Sequence, residues 1–277
     1  MTGETGYSTP GIAGSGAIAC GLAACATATS KVILLARSDA SAWRAEEQVV
    51  NLAGKLEHGD SSNVKVTTEP GDLADCDLIV EAIAEDHDAK VELLQTLGAA
   101  ATGADLGTTT SSLSIAKVGE EAGHPDRLFG LHPFNPVTKM ELIELCVTEG
   151  TRDGVSARAR AWCEGFGKTV VEVPDQTGFV VNRLLFPYLF DAVRLHERTG
   201  MDAEDVDNCM TLGAAHPLGP LALLDMVGLD VAEQIGHSLL EATGVKHYGP
   251  PKELIAMVAE GKLGRKSGEG FFSYSKK

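Results

Sequence analysis

The sequence predicts an α/β fold, a doubly wound sheet followed by a smaller all-α C-terminal domain. Three observations predict it. A glycine-rich turn links an apolar run to a helix near the N-terminus. Apolar strand-like runs then alternate with helical stretches as far as His132. From Phe179 to Val245 the apolar spacing is mostly helical, and strand alternation is absent. The length of 277 residues also exceeds what one compact core of typical size holds.

Residues Tyr7 to Ser38 read as strand, turn, helix and strand. The turn is Gly14-Ser15-Gly16-Ala17-Ile18-Ala19, a G-x-G-x-x-A pattern. The second glycine lets the backbone approach a pyrophosphate, and the helix from about Ala17 to Thr29 offers unpaired N–H groups and a positive dipole end. This is the Rossmann-type arrangement. Pro10 and Gly11 are poor residues for a central strand, so the first strand is expected to be short or distorted. Lys31 to Ala36 reads as a buried strand, and the polar stretch Ser41 to Asn63 as helical. Val64 to Thr67, Cys76 to Ala82, Asp105 to Thr109 and Leu128 to His132 read as further strands, with a helix from Asp88 to Ala100. The character changes near Asp175-Gln176-Thr177-Gly178. We therefore expect a dinucleotide-binding domain over 1–176 and a helical domain over 177–277. Strand character returns only at Gly270 to Tyr274.

Composition excludes several classes. A net charge of -16 repels a phosphate backbone, so no nucleic-acid partner is expected. The six cysteines form no C-x-x-C pair or zinc-like cluster. They read as reduced, small apolar residues of a cytoplasmic protein that holds no metal. Met1 to Gly14 has no basic segment before a long apolar run, and no stretch of about 18 apolar residues exists, so neither a signal peptide nor a membrane span is expected.

Further motifs follow in order. They are Val80-Glu81-Ala82-Ile83-Ala84-Glu85, Thr110-Ser111-Ser112-Leu113-Ser114-Ile115, Gly130-Leu131-His132-Pro133-Phe134-Asn135-Pro136 and Glu141-Leu142-Ile143-Glu144. Beyond them lie Asp175-x-x-Gly178-Phe179-Val180-Val181-Asn182-Arg183, His216-Pro217-Leu218-Gly219-Pro220, Asp225-x-x-Gly228-Leu229-Asp230 and Lys266-Ser267-Gly268-x-Gly270-Phe271-Phe272. Together with the glycine turn and Gly21-Leu22-Ala23, this series resembles the short-chain L-3-hydroxyacyl-CoA dehydrogenases, which include the 3-hydroxybutyryl-CoA dehydrogenases. The similarity runs over nearly the whole chain.

The resemblance implies an oxidoreductase of fatty acid metabolism. Its reaction interconverts a (3S)-3-hydroxyacyl-CoA and the 3-ketoacyl-CoA, with hydride transfer to or from a nicotinamide dinucleotide. Alcohol oxidation needs a base near neutrality, and the unperturbed histidine pKa of about 6.5 suits that task. The resemblance gives this role to His132, expected on a loop at the sheet edge. It makes Glu144, twelve residues later, the carboxylate that fixes the ring and stabilises the imidazolium. It makes Ser111 the substrate-oxygen serine, although Ser111 or Ser112 would also serve as a helix N-cap. The Asn182 amide would polarise the substrate oxygen or thioester carbonyl. Gly14, Ser15, Gly16, Ala17 and Ile18 would hold the dinucleotide, Glu85 and Lys90 its nicotinamide side, and Asn135 the His132 loop. The resemblance assigns substrate binding and dimerisation to the helical domain over 177–277, and a homodimer through Val181 to Leu195 and Leu221 to Leu240 is implied. The other seven histidines read as structural, and the acidic run Asp202 to Asp207 as a solvated helix start.

The chain departs from the family pattern in three places. Thr109 stands where the family carries Asn before Thr-Ser-Ser. The second strand ends Ala36-Arg37-Ser38 where NAD-specific members place an Asp for the adenosine ribose. Arg37 and Ser38 offer donors there for a 2′-phosphate, so NADP(H) is expected to serve at least as well as NAD(H). The segment after that strand is shorter than usual, so Lys55 and Lys65 are only candidates for CoA phosphates. A carrier-protein thioester or a free hydroxyacid stays open as substrate. A dinucleotide-binding protein without catalysis is the reading from another class.

Overall fold

The computed structural model describes residues 6–274. Met1 to Thr5, part of the stretch read above for a leader, lie outside the described residues, as do Ser275 to Lys277. The chain divides into two compact units, one ending at Gln176 and the other starting at Thr177.

The first unit runs β1 (Pro10–Ala13), α1 (Ala17–Ala26), β2 (Val32–Leu35), α2 (Asp39–Ala53), β3 (Val64–Thr67), β4 (Leu78–Glu81), α3 (His87–Ala100), β5 (Asp105–Thr108), α4 (Ile115–Glu121), β6 (Leu128–Pro133), β7 (Leu142–Cys146), α5 (Val155–Gly165) and β8 (Thr169–Glu172). One eight-stranded sheet forms in the order β3-β2-β1-β4-β5-β6-β7-β8. All neighbours are parallel except β6 and β7. Strands covered on both faces read as continuous apolar runs, as in Val32-Ile33-Leu34-Leu35.

β1 is short, at four residues, yet it is undistorted and pairs in register with β2 and β4. Pro10 opens the strand, where a missing N–H costs least. Space at Gly11 is tight, because a Cβ would approach Cys76 Sγ and Leu73 to 3.1 Å. The small residues of α1 let it press on the sheet and on the loop after β6: a Cβ at Gly21 would lie 2.8 Å from Val137 Cβ. α2 stops at Ala53, so the helix expected as far as Asn63 is shorter, and a single 3₁₀ turn covers Ser61–Asn63. The sheet also extends two strands beyond the alternation read from sequence: β7 turns antiparallel onto β6, and β8 closes the edge.

The second unit contains α6 (Val181–Thr199), α7 (Ala203–Gly213), α8 (Pro220–Val227), α9 (Leu229–Thr243) and α10 (Lys252–Ala259). Phe186, Leu189, Phe190, Leu221, Leu224 and Leu239 are among its buried core residues. Asp207 is not part of a solvated helix start. It is buried, and its carboxylate accepts from Leu221 N and Ala222 N, both at 2.9 Å, capping α8. Asp225 is buried too and accepts from Phe271 N, Phe272 N and Tyr274 Oη, which pins the C-terminal segment. The strand expected at Gly270 to Tyr274 is reduced to isolated bridges. Among the described residues, no helix is long and apolar enough to cross a membrane.

Candidate functional site

The strand order reverses between β1 and β4, and open parallel sheets collect ligands at the carboxyl ends of strands beside such a point. A cavity of about 910 Å³ lies there. Its wall includes Gly14 to Ile18, Arg37, Glu85, Thr109, Ser111 and Asn135. Gly14 adopts φ 147°, and a Cβ on it would collide with the Ala82 carbonyl. Gly16 N-caps α1 without any side-chain cap, and the first turn carries no acid. A Cβ on Gly16 would meet nothing within 4 Å. Open space in front of an uncapped helix N-terminus fits a pyrophosphate, and the cavity volume fits a dinucleotide.

The parallel strands β1, β4, β5 and β6 end along this same sheet edge. His132 stands at the carboxyl end of β6, inside the strand and not on the expected loop. The antiparallel register sets it directly across from Glu144 of β7. His132 Nδ1 and Glu144 Oε2 are 2.7 Å apart; His132 is 7% exposed and Glu144 1%. A carboxylate accepting from Nδ1–H leaves the basic lone pair of the neutral ring on Nε2. Phe134 packs edge-on against the imidazole, with centroids 4.7 Å apart.

A second carboxylate organises the loop after β5. Glu85 Oε1 accepts from Thr110 Oγ1 (2.6 Å), Ser111 N (2.8 Å), Ser112 N (3.0 Å) and Ser112 Oγ (2.8 Å). Desolvation is the largest influence on this carboxyl and pushes its pKa up. Lys90 and the hydrogen bonds of Thr110, Ser112 and Ser111 together outweigh it and hold the pKa below the ordinary glutamate value. Neither Ser111 nor Ser112 caps a helix. Ser114 caps α4, and Asp175 accepts from Ser114 Oγ, Ile115 N and Ala116 N at the same helix start.

Several expected residues sit elsewhere. Lys90 is off the cavity wall. It is wholly buried, with Nζ 2.7 Å from Glu81 Oε1 and 3.4 Å from Glu85 Oε2, so it stands behind Glu85 as a counter-charge and not at the ligand surface. Ser38 is also off the wall; its hydroxyl caps α2 in a capping box with Ser41, which does line the cavity. Lys65 pairs with Asp72 at 2.9 Å, and neither Lys65 nor Lys55 reaches the wall. Asn182, in the second unit, is the second residue of α6 and is 9% exposed.

Sequence reasoning missed Arg44, Ser41, Thr110 and Glu81. Arg44 and Ser41 carried one faint signal, a three-residue spacing just inside a helix that follows the second strand.

A family model described as 3-hydroxyacyl-CoA dehydrogenase, NAD binding domain, matches residues 9–176. A second, described as 3-hydroxyacyl-CoA dehydrogenase, C-terminal domain, matches residues 178–274. The chain is 43% identical over 211 residues to a 3-hydroxybutyryl-CoA dehydrogenase of Mycobacterium tuberculosis, covering 75% of this chain and 74% of the relative. It is 36% identical over 283 aligned positions to the human mitochondrial hydroxyacyl-coenzyme A dehydrogenase, covering 95% and 90%. The crystal structure of FadB2 from M. tuberculosis matches with a TM-score of 0.92 at 37% identity, covering 98% of this chain and all of the other. The (S)-3-hydroxybutyryl-CoA dehydrogenase PaaH1 of Ralstonia eutropha matches with a TM-score of 0.91 at 34% identity, again covering 98% of this chain and 100% of the other.

Proposed function

The chain belongs to the 3-hydroxyacyl-CoA dehydrogenase family, and on that premise we propose that it interconverts (3S)-3-hydroxyacyl-CoA, 3-hydroxybutyryl-CoA foremost, and the 3-ketoacyl-CoA. The observation that carries this reading is the buried His132–Glu144 pair at the sheet edge that holds the dinucleotide-sized cavity. A nicotinamide dinucleotide, when bound at the Gly14 to Ile18 turn, supplies or accepts the hydride.

The chain's own residues handle the proton and the oxygen. In oxidation the C3–H pair leaves as hydride, the C3–O double bond forms, and the hydroxyl proton passes to His132 Nε2. The ionised Glu144 stabilises the resulting imidazolium and keeps the ring oriented. In reduction the same nitrogen returns the proton. Ser111, set by the Glu85 loop, holds the 3-oxygen.

Finer features belong to the same reading. The Ala36-Arg37 strand end lacks a carboxylate that would repel a 2′-phosphate, which supports NADP(H) use at least equal to NAD(H). Exposed Leu184 (70%) and Leu212 (85%) in the second unit support a homodimer there. All six cysteines are free, which supports a reducing compartment such as the cytoplasm.

The deciding assay is acetoacetyl-CoA reduction with NADH and NADPH, run beside free acetoacetate and an acetoacetyl carrier-protein thioester. Turnover of the CoA thioester at least tenfold above both others is expected. Preference for either alternative overturns the CoA assignment, and no turnover of any overturns the catalytic reading.

A further inference from the structure

One end of the cavity is built from the chain that leaves β2. Arg37 follows the strand directly, and α2 begins immediately after it behind the Ser38 cap. Ser41 and Arg44, three residues apart on one helix face, turn to the same wall as Arg37. The neighbouring strand β3 leads into Thr68 and Pro70, which line the same cavity and are uncharged. The carboxylates on the wall, Glu85 and Glu92, belong to the β4 and α3 side. Arg37 and Arg44 are exposed, and among the described residues neither takes part in an ion pair or a side-chain hydrogen bond. The Ser38 and Ser41 hydroxyls are spent on each other and on the α2 cap, so the charged donors left at this end are the two arginines.

From this arrangement we infer that Arg37 and Arg44 form a two-guanidinium seat for the 2′-phosphate of NADP(H), with Arg44 the specificity-determining residue that the sequence motif does not reveal. The inference rests on the proposed dinucleotide site. Each planar fork supplies paired N–H donors suited to a phosphate dianion, and the site lacks the strand-end carboxylate that would bind a ribose diol. The acids nearest the seat in sequence are Asp39 in the first turn of α2 and Glu46 and Glu47 just beyond Arg44; all three are exposed and lie off the cavity wall. Because the seat is exposed, its contribution falls as salt rises.

The test is equilibrium binding to the full-length chain, by calorimetry, of 2′,5′-ADP against 5′-AMP and of NADPH against NADH. Wild type is expected to bind 2′,5′-ADP at least tenfold more tightly than 5′-AMP, at low salt more than at high. Arg44→Gln and Arg37→Gln are each expected to lower that ratio about tenfold, the scale of one charge-assisted hydrogen bond. Arg37→Asp is expected to reverse the preference toward NADH. Both side chains are exposed, and thermal unfolding checks that the variants fold. If Arg44→Gln leaves the ratio unchanged, Arg44 takes no part and the seat is refuted. If Arg37→Gln weakens both nucleotides equally, Arg37 only stacks on adenine and the seat is again refuted. NADH binding without any 2′-phosphate preference overturns this inference alone. Failure of both dinucleotides to bind overturns the underlying site as well.

Discussion

His132 and Glu144 are cross-strand partners: the antiparallel register of β6 and β7 places one opposite the other, with Nδ1 and Oε2 2.7 Å apart. Strand geometry, not a flexible loop, therefore sets the orientation of the imidazole. Such a pair holds its geometry at no cost in loop entropy when substrate arrives.

Removing the base should cost more than removing its orienting carboxylate. His132→Ala is expected to lower kcat for acetoacetyl-CoA reduction by about 10²- to 10⁴-fold, the usual range for general acid–base catalysis. Glu144→Gln keeps a hydrogen bond to the ring but removes the charge that stabilises the imidazolium. Its kcat should fall less than that of His132→Ala, because the ring keeps a hydrogen-bonded orientation. Steady-state kinetics over a pH series checks both, and wild-type turnover in His132→Ala would remove this residue from the chemistry.

Lys90 is a stability residue in this fold. Its ammonium is buried against Glu81, whose carboxylate also accepts from Ile83 N and Thr108 Oγ1, both at 2.7 Å. Lys90→Met leaves that buried carboxylate without its counter-charge, which costs about 3–5 kcal/mol. Combining it with Glu81→Gln removes the stranded charge and should recover part of the loss. Urea unfolding of the single and double variants reads the difference, and a single variant as stable as wild type would contradict the buried pair.

The parts of this architecture that sequence revealed are those encoded locally. The turn Gly14 to Ala19 and the apolar runs of β2 and β4 carry their signal within a few residues. What stayed hidden depends on distant partners. Asp207 caps a helix that starts thirteen residues later, and Asp225 binds backbone near Phe271, so nothing beside either residue announces its burial. Lys90 resembles any exposed helix lysine until Glu81, nine residues earlier, is seen at the strand end beneath it. β7 was legible as a motif containing Glu144, but its antiparallel return onto β6 is a tertiary choice that residue periodicity does not record. Arg44 gives only the faint sign of its three-residue spacing from Ser41, and its neighbours on α2 are mostly exposed as well.

Glu85 links pH to the loop that carries Ser111. Its folded pKa lies below the ordinary value, so its contribution to stability is fully present above the unfolded pKa of about 4.3 and is lost as pH falls through the lower folded value. Wild type should therefore lose stability on acidification from about pH 5 downward more steeply than Glu85→Gln. Urea midpoints across that window provide the comparison. Parallel slopes for the two proteins would mean that the Thr110, Ser111 and Ser112 hydrogen bonds do not favour the ionised carboxylate.

The two glycines of the N-terminal turn make opposite predictions, and together they separate folding from ligand binding. Gly14 adopts φ 147° and its missing Cβ would strike the Ala82 carbonyl, so Gly14→Ala strains the backbone and crowds the sheet edge at once. It should unfold at lower denaturant than wild type. Gly16 has φ -85°, which any residue adopts, and a Cβ there meets nothing within 4 Å. Gly16→Val should therefore fold with stability within about 1 kcal/mol of wild type, as expected for a substitution that breaks no contact. Its side chain nevertheless projects into the space before the α1 N–H groups, where a pyrophosphate has to sit. Dinucleotide affinity is expected to drop at least a hundredfold in Gly16→Val, read by calorimetric titration beside the denaturation curve. A stable Gly16→Val that binds dinucleotide as wild type does would move the pyrophosphate away from this turn.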